Sequence, residues 1–130
     1  MSSWASQYVG IPYLENGYDR RGCSCWGLVR LVMVEQFGIV LPRHDQADIY
    51  NTEEFTSHYR QVDMDQIRPG DVLHLWGVAN GVKTPTHAGV VVTPRQMLHT
   101  ELNTGAIIES VTSKRAAWRL INAYRPEPNT

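Results

Sequence analysis

The two cysteines of this chain, Cys23 and Cys25, lie two positions apart. Cys25 begins the stretch CWGLVRLVMVEQF (25–37), whose wide apolar surface predicts a largely buried helix with Ser24 as its N-cap. A thiol at a helix start lies near unpaired backbone N–H groups and the positive end of the helix dipole, which favour the nucleophilic thiolate. The backbone N–H of Cys25 would also be placed to bind a developing oxyanion. Cys25 is therefore a candidate nucleophile.

Other roles for the two cysteines are compatible with the sequence. A cysteine in an apolar helix can be a small hydrophobic side chain without chemical function. A C-x-C pair is half of a zinc site, although the chain has no second cysteine pair and histidine ligands would have to come from distant positions. A disulfide between residues two apart would strain the bridge geometry. Cys23 therefore receives no assigned role.

A cysteine nucleophile needs a general base, and the base needs a group that orients it. Of the five histidines, His44 and His58 lie in a polar stretch where we expect exposure to solvent, and His74 lies in a predicted strand. His87 and His99 are symmetric about the turn of a predicted hairpin, so we expect them directly opposite each other on one face. His99 would then hold one ring nitrogen of His87 while the other faces the thiol. The alternative is that two histidines share this sheet by chance.

The remaining sequence supplies the elements that position these residues. A short helix capped by Ser2 or Ser3 is predicted at 2–8, and one or two short surface helices are predicted in 43–67. After a turn at 68–71 the apolar residues take the spacing of strands. Five strands are predicted, at 71–76, 88–93, 97–100, 106–111 and 118–124. Helices followed by an antiparallel meander indicate the α+β class.

Composition limits the functions that this chain can have. Its 130 residues suit one domain, which we expect at 1–125, followed by a tail at 126–130. A net charge of −1 lacks the basic excess typical of nucleic-acid binding. No apolar run reaches the roughly 18 residues of a membrane helix, so we expect no membrane insertion. The N-terminal sequence lacks the basic and apolar regions of a secretory signal, so we expect any export to use lysis, a dedicated machine or a larger assembly.

Five ordered motifs make the chain resemble the NlpC/p60 family of cell-wall cysteine peptidases. They are GIPY at 10–13 with NG at 16–17, CWGLVRLV at 25–32, RPGDVL at 68–73, THAGVVV at 86–92 and MLH at 97–99. The resemblance implies a papain-like α+β fold in which N-terminal helices pack on a roughly five-stranded antiparallel sheet. The motif CWGLVRLV and the pair Leu41-Pro42 look most like the members found in bacteriophage and prophage tail clusters.

The resemblance implies a catalytic triad in which Cys25 is the nucleophile, His87 the general base and His99 the polar residue that orients the base. Tyr13, in the GIPY motif, would line the oxyanion side beside the N–H of Cys25. The reaction typical of the family is hydrolysis of peptidoglycan stem peptides, commonly between a D-γ-glutamyl residue and a diamino acid. No metal and no cofactor are expected.

One position departs from the family pattern. The family usually has Asp immediately before the cysteine, and this chain has Ser24. Both residues are good N-caps, so we expect the helix start to be kept while any substrate contact of that Asp is lost or replaced. Ser24 and Trp26 are further candidates for substrate binding. The alternative for Trp26 is that its indole packs in the core. The letters GCSCW at 22–26 also resemble the papain-type CGSCW. However, the papain-type histidine lies about 130–150 residues beyond its cysteine, whereas His87 lies only 62 residues beyond Cys25.

The leading hypothesis is a cysteine endopeptidase that acts on peptidoglycan as a phage or prophage tail component. Its expected partners are the stem peptide and phage tail proteins, and its expected place is the virion tail or the cell-wall compartment. A non-enzymatic tail-tip subunit that uses the groove only for contacts is one alternative. An amidase or acyltransferase acting on another substrate is a second, because Ser24 leaves the substrate open.

Overall fold

A computed structural model describes residues 4–41, 59–79 and 81–126 of the chain. The helical elements are a 3₁₀ helix at Trp4–Tyr8, α1 at Cys25–Val32 with a π-helical extension at Met33–Phe37, a 3₁₀ turn at Met64–Gln66, and α2 at Lys114–Ala117. The strands are β1 (Tyr18–Asp19), β2 (Gly22–Cys23), β3 (Tyr59–Val62), β4 (Val72–Ala79), β5 (Val82–Thr93), β6 (Gln96–Glu101), β7 (Gly105–Ser110) and β8 (Leu120–Pro126). The α+β class predicted from the sequence is confirmed.

Within the described residues, six strands form one antiparallel sheet in the order β3-β8-β4-β5-β6-β7. Strands β4 to β8 are the five that the sequence predicts, and β4 and β5 are longer than expected. The helical prediction is wrong at Tyr59–Val62, because this segment pairs with β8 at the sheet edge and buries Tyr59. His44, His58 and the rest of the stretch before Tyr59 lie outside the described residues.

Both chain ends depart slightly from the sequence predictions. The first helix is a short 3₁₀ helix rather than a capped α-helix, and Ser2 and Ser3 lie outside the described residues. At the other end, Pro126 pairs with Tyr59 and so belongs to β8 rather than to the expected tail. No described helix has both the length and the apolar character that a membrane span requires.

Helix α1 begins where the sequence predicts. The Ser24 side chain accepts a hydrogen bond of 3.0 Å from the backbone N–H of Gly27, which satisfies one of the free donors of the first turn. Gly27 has no side chain because a Cβ at this position would overlap the carbonyl oxygen of Gly17. The helix stops at Gly38, whose φ of 68° is the left-handed conformation that glycine adopts without strain.

The sheet separates two apolar layers, because alternate residues of a strand point to opposite faces. One layer lies between α1 and the sheet and includes Leu28, Val29, Val32, Val90 and Leu98. The other lies on the opposite face beside α2 and includes Leu73, Leu75, Val91, Met97 and Ala116. The first layer packs α1 against β5, and the candidate nucleophile lies at the start of α1.

Candidate active site

The Cys25 thiol contacts the backbone of β5 on either side of a histidine. Its Sγ lies 3.6 Å from the carbonyl oxygen of Thr86 and accepts a hydrogen bond from the N–H of Ala88. These backbone groups are free for the thiol because the pairing of β5 with β6 begins only at Val90. Thr86 and Ala88 flank His87, so the start of α1 is held beside the backbone of the predicted base.

Burial raises the pKa of the Cys25 thiol above its ordinary value. The N–H groups of Ala88, Trp26 and Cys25 itself lower this pKa, but by less than burial raises it. The helix start therefore favours the thiolate as expected, but burial outweighs it, and the thiol of the resting protein is neutral. The same N–H groups are positioned to stabilise negative charge that develops during a reaction.

The second cysteine has a different environment. Cys23 is fully buried, and its Sγ donates a hydrogen bond of 3.1 Å to the carbonyl oxygen of Asp19. Burial raises the pKa of this thiol to about 11. Both cysteines are free thiols. Cys23 therefore packs in the core and gives no support to a disulfide.

His87 and His99 are joined by a hydrogen bond of 2.8 Å between His87 Nε2 and His99 Nδ1. They share a face, but they are not directly opposite, because the turn lies at Pro94 and Arg95 and the pairing beyond a register shift joins Val90 to Leu98. Continuing that register places Gly89 opposite His99, so His87 is a diagonal neighbour. A Cβ on Gly89 would lie 3.3 Å from His99 Cβ. Because glycine has no Cβ, the His99 ring has room to reach across to His87.

The chain of contacts continues beyond His99 into charged residues that the sequence analysis did not find. His99 Nε2 lies 2.7 Å from Glu109 Oε1, and Glu109 Oε2 accepts a hydrogen bond of 2.8 Å from Arg115 Nε. Arg115 also forms a short ion pair with Glu101, which Arg119 contacts at 3.2 Å. The only sequence signal for Glu109 was a lone acid in the apolar strand AIIES.

Both histidines are neutral at neutral pH. Burial is the main cause that lowers the pKa of His87, to about 3, and the neighbouring His99 and Arg119 lower it further. Burial also lowers the pKa of His99, against the opposing effects of Glu109 and Glu101. The resting pair is thus a neutral thiol beside a neutral imidazole, rather than a thiolate beside an imidazolium.

An open cavity of about 790 Å³ brings these residues to the surface. Its lining includes Tyr13, Cys25, His87, Glu101, Arg119 and Trp118, the last of which is 56% exposed. Burial raises the pKa of Tyr13, so its phenol keeps the proton that a hydrogen-bond donor needs. Ser24 and Trp26 are not among the lining residues. The Ser24 hydroxyl caps α1, and the Trp26 indole packs in the core.

One cluster has the composition of a metal site. His87, His99 and Glu101 each offer a ligand atom, and these atoms lie within 4.8 Å of one another. However, the two ring nitrogens already share a hydrogen bond of 2.8 Å, whereas two ligands of a tetrahedral zinc ion stand about 3.3 Å apart. Glu101 Oε1 is already bound by Arg115 and Arg119. The cluster is better suited to proton transfer than to holding a cation.

Comparison with known proteins gives a consistent result. The model of the NlpC/P60 family matches residues 10–125. The chain is 30% identical over 102 residues to a probable endopeptidase NlpC of Escherichia coli K12, and 27% identical over 106 residues to MepS of the same strain, a murein DD-endopeptidase/murein LD-carboxypeptidase. These matches cover 78% and 82% of this chain, but only 60% and 50% of the relatives.

A solved structure agrees at the level of the fold. The crystal structure of the NlpC/p60 domain of the peptidoglycan hydrolase SagA superposes with a TM-score of 0.66. The match covers 92% of this chain and 90% of that domain at 23% identity. The family match spans most of the sequence. Helix α1 packs on β5 and β6, in agreement with the papain-like fold that the resemblance implies. The chain belongs to the NlpC/P60 family.

Proposed function

We propose that this chain is a cysteine endopeptidase that hydrolyses peptidoglycan stem peptides. The observation that carries the proposal is the cavity that Cys25 and His87 both line. One ring nitrogen of His87 is held there by a hydrogen bond with His99. A non-enzymatic binding module would need neither a nucleophile at a helix start nor a buried pair of hydrogen-bonded histidines. Family membership supports the same activity.

In the proposed mechanism, the free Nδ1 of His87 takes the proton of Cys25 as the sulfur attacks the substrate carbonyl carbon. The tetrahedral oxyanion is stabilised by the N–H of Cys25 and the phenol of Tyr13. The C–N bond then breaks, and the imidazolium of His87 gives its proton to the leaving amine. Water, deprotonated by the same imidazole, hydrolyses the thioester and restores the neutral thiol and imidazole.

The Cys25 thiol and the His87 imidazole are both neutral before the substrate is attacked. Charge separation happens only during the attack, so the site must stabilise an imidazolium that burial disfavours. Glu109 contacts His99 directly, and Glu101 lies 3.8 Å from His99 Nδ1, so both carboxylates place negative charge behind the imidazolium as it forms. The N–H groups around the sulfur stabilise the opposite charge. The transition state is therefore favoured more than the ground state.

The bond that we propose is the one between D-γ-glutamyl and the diamino acid, as the family resemblance implies. The related MepS is named for DD-endopeptidase and LD-carboxypeptidase activities, which cleave other bonds. Digestion of purified muropeptides followed by mass spectrometry distinguishes these bonds by the masses of the products. Wild-type protein should release a shortened muropeptide and a free peptide, and Cys25→Ala, matched in fold, should release neither. Absence of products from wild type, or identical products from the variant, would refute the proposed activity.

We also propose that the chain acts as a phage or prophage tail component, within the virion tail or the cell-wall compartment. The support is the likeness of CWGLVRLV and Leu41-Pro42 to tail-cluster members. Tail particles purified after induction of a strain that carries the gene should contain the chain, as detected by mass spectrometry. Its absence from complete tails would contradict this role without touching the peptidase proposal.

A further inference from the structure

The contact between His99 and Glu109 restricts where the protons of the site can lie. His99 is fully buried, and its Nε2 lies 2.7 Å from Glu109 Oε1. The other oxygen of Glu109 accepts from Arg115 Nε at 2.8 Å. A carboxylate held by an arginine accepts hydrogen bonds and has no proton to donate. The proton of a neutral His99 must therefore lie on Nε2.

This assignment propagates along the hydrogen-bond chain. A neutral imidazole with its proton on Nε2 has a bare Nδ1, which can only accept a hydrogen bond. The 2.8 Å contact between His87 and His99 then requires His87 to donate from its own Nε2. His87 in turn is left with a bare Nδ1, the nitrogen that His99 does not occupy. That lone pair is what a general base for the Cys25 proton needs.

We propose that Glu109 is a positioning residue that sets the tautomers of His99 and His87 and so keeps the catalytic nitrogen of His87 unprotonated. Glu109 does not touch the thiol and acts only through His99. The proposal deepens the proposed peptidase function and rests on it for its effect on rate. The proton positions themselves can be measured without any substrate.

The neighbouring acid, Glu101, does not set the tautomer of His99. Glu101 Oε1 lies 3.8 Å from His99 Nδ1, beyond hydrogen-bond distance, and is bound by Arg115 and Arg119. Glu101 therefore contributes charge but does not decide which nitrogen of His99 carries the proton. This difference makes Glu101→Gln a matched control, because it removes the same charge from the same network without removing the bond to His99.

The variant Glu109→Gln should reverse the proton chain because of Arg115. The amide oxygen has to face the Arg115 N–H, which leaves the amide NH₂ pointing at His99 Nε2. His99 must then accept at Nε2 and donate from Nδ1, so His87 accepts at Nε2 and carries its proton on Nδ1. In this state the nitrogen that we propose as the base already carries a proton. We expect kcat to fall by about 10²–10⁴-fold with little change in KM, the range for loss of general-base catalysis when the histidine is held in the wrong tautomer.

The test is ¹⁵N NMR of histidine-labelled protein at pH 7, in which protonated and bare ring nitrogens have well-separated shifts. Wild type should show His87 and His99 both protonated on Nε2. Glu109→Gln should move protons to Nδ1 of both rings, and Glu101→Gln should leave them on Nε2. The double variant Glu109→Gln/Arg115→Met should return them toward Nε2, because the amide is then free to turn its oxygen to His99.

Two results would overturn the inference. One is a wild-type spectrum with a proton on His87 Nδ1, and this measurement does not depend on whether any variant folds. The other is an unchanged tautomer pattern in a folded Glu109→Gln protein. The two proposals remain separable, because a protein with these tautomers that does not cleave muropeptides loses only the proposed function. Conversely, an active protein with the opposite tautomers loses only the role of Glu109.

Discussion

The low pKa of His87 makes a quantitative prediction about stability. In the unfolded chain His87 titrates near its ordinary value of 6.5, whereas burial lowers its pKa in the folded protein to about 3. Between these values the unfolded state binds a proton that the folded state does not. A lowered folded-state pKa therefore means that stability is lost as the pH falls below 6.5.

The size of the loss follows from proton linkage. At pH 5 the unfolded His87 is almost fully protonated and the folded one almost fully neutral. The free energy of unfolding should therefore fall by about 2 kcal/mol between pH 7 and pH 5 on account of this residue alone. Burial also lowers the pKa of His74 and of His99, which add to the loss in the same direction. Only the part due to His87 disappears when that residue is replaced.

The assay is urea unfolding at both pH values for wild type and for His87→Gln, whose amide can still donate to His99. The drop in unfolding free energy should be about 2 kcal/mol larger in wild type than in the variant. A difference below about 0.5 kcal/mol would show that His87 titrates normally in the folded protein. A drop that is smaller in wild type than in the variant would show instead that the pKa of His87 is raised in the folded protein, as a thiolate–imidazolium pair requires.

Three further predictions follow from the same geometry. Alkylation of Cys25 by iodoacetamide should rise with pH to a midpoint above that of a model thiol, because burial raises its pKa, and a midpoint below the model thiol would contradict this. Gly89→Ala should keep the fold but lower kcat about 10–100-fold, since its Cβ would push His99 from His87, and unchanged kinetics would refute that spacing role. Ser24→Ala should lose about 1 kcal/mol of unfolding free energy while Ser24→Asp keeps it, and equal losses in both variants would argue against the capping role.

The sequence predicted the elements whose patterns are local. The apolar run from Cys25 gives a buried helix wherever it packs, and Ser24 and Gly38 mark its start and stop by capping chemistry. The alternation in β4 to β8 likewise follows from the two faces of a sheet. The sequence wrongly predicts a helix at Tyr59–Val62, because an edge strand with exposed polar residues has little periodic signal of its own.

The sequence by itself determined that a cysteine begins the main helix and that two histidines lie on one hairpin. Only the tertiary structure decided how these groups are charged and joined. The position of the hairpin turn and the register of the strands made His87 a diagonal neighbour of His99, and Gly89 left the space between them. Burial outweighed the helix start and left the Cys25 thiol neutral. Register and desolvation depend on which residues pack together, and a local pattern of residue types does not contain that information.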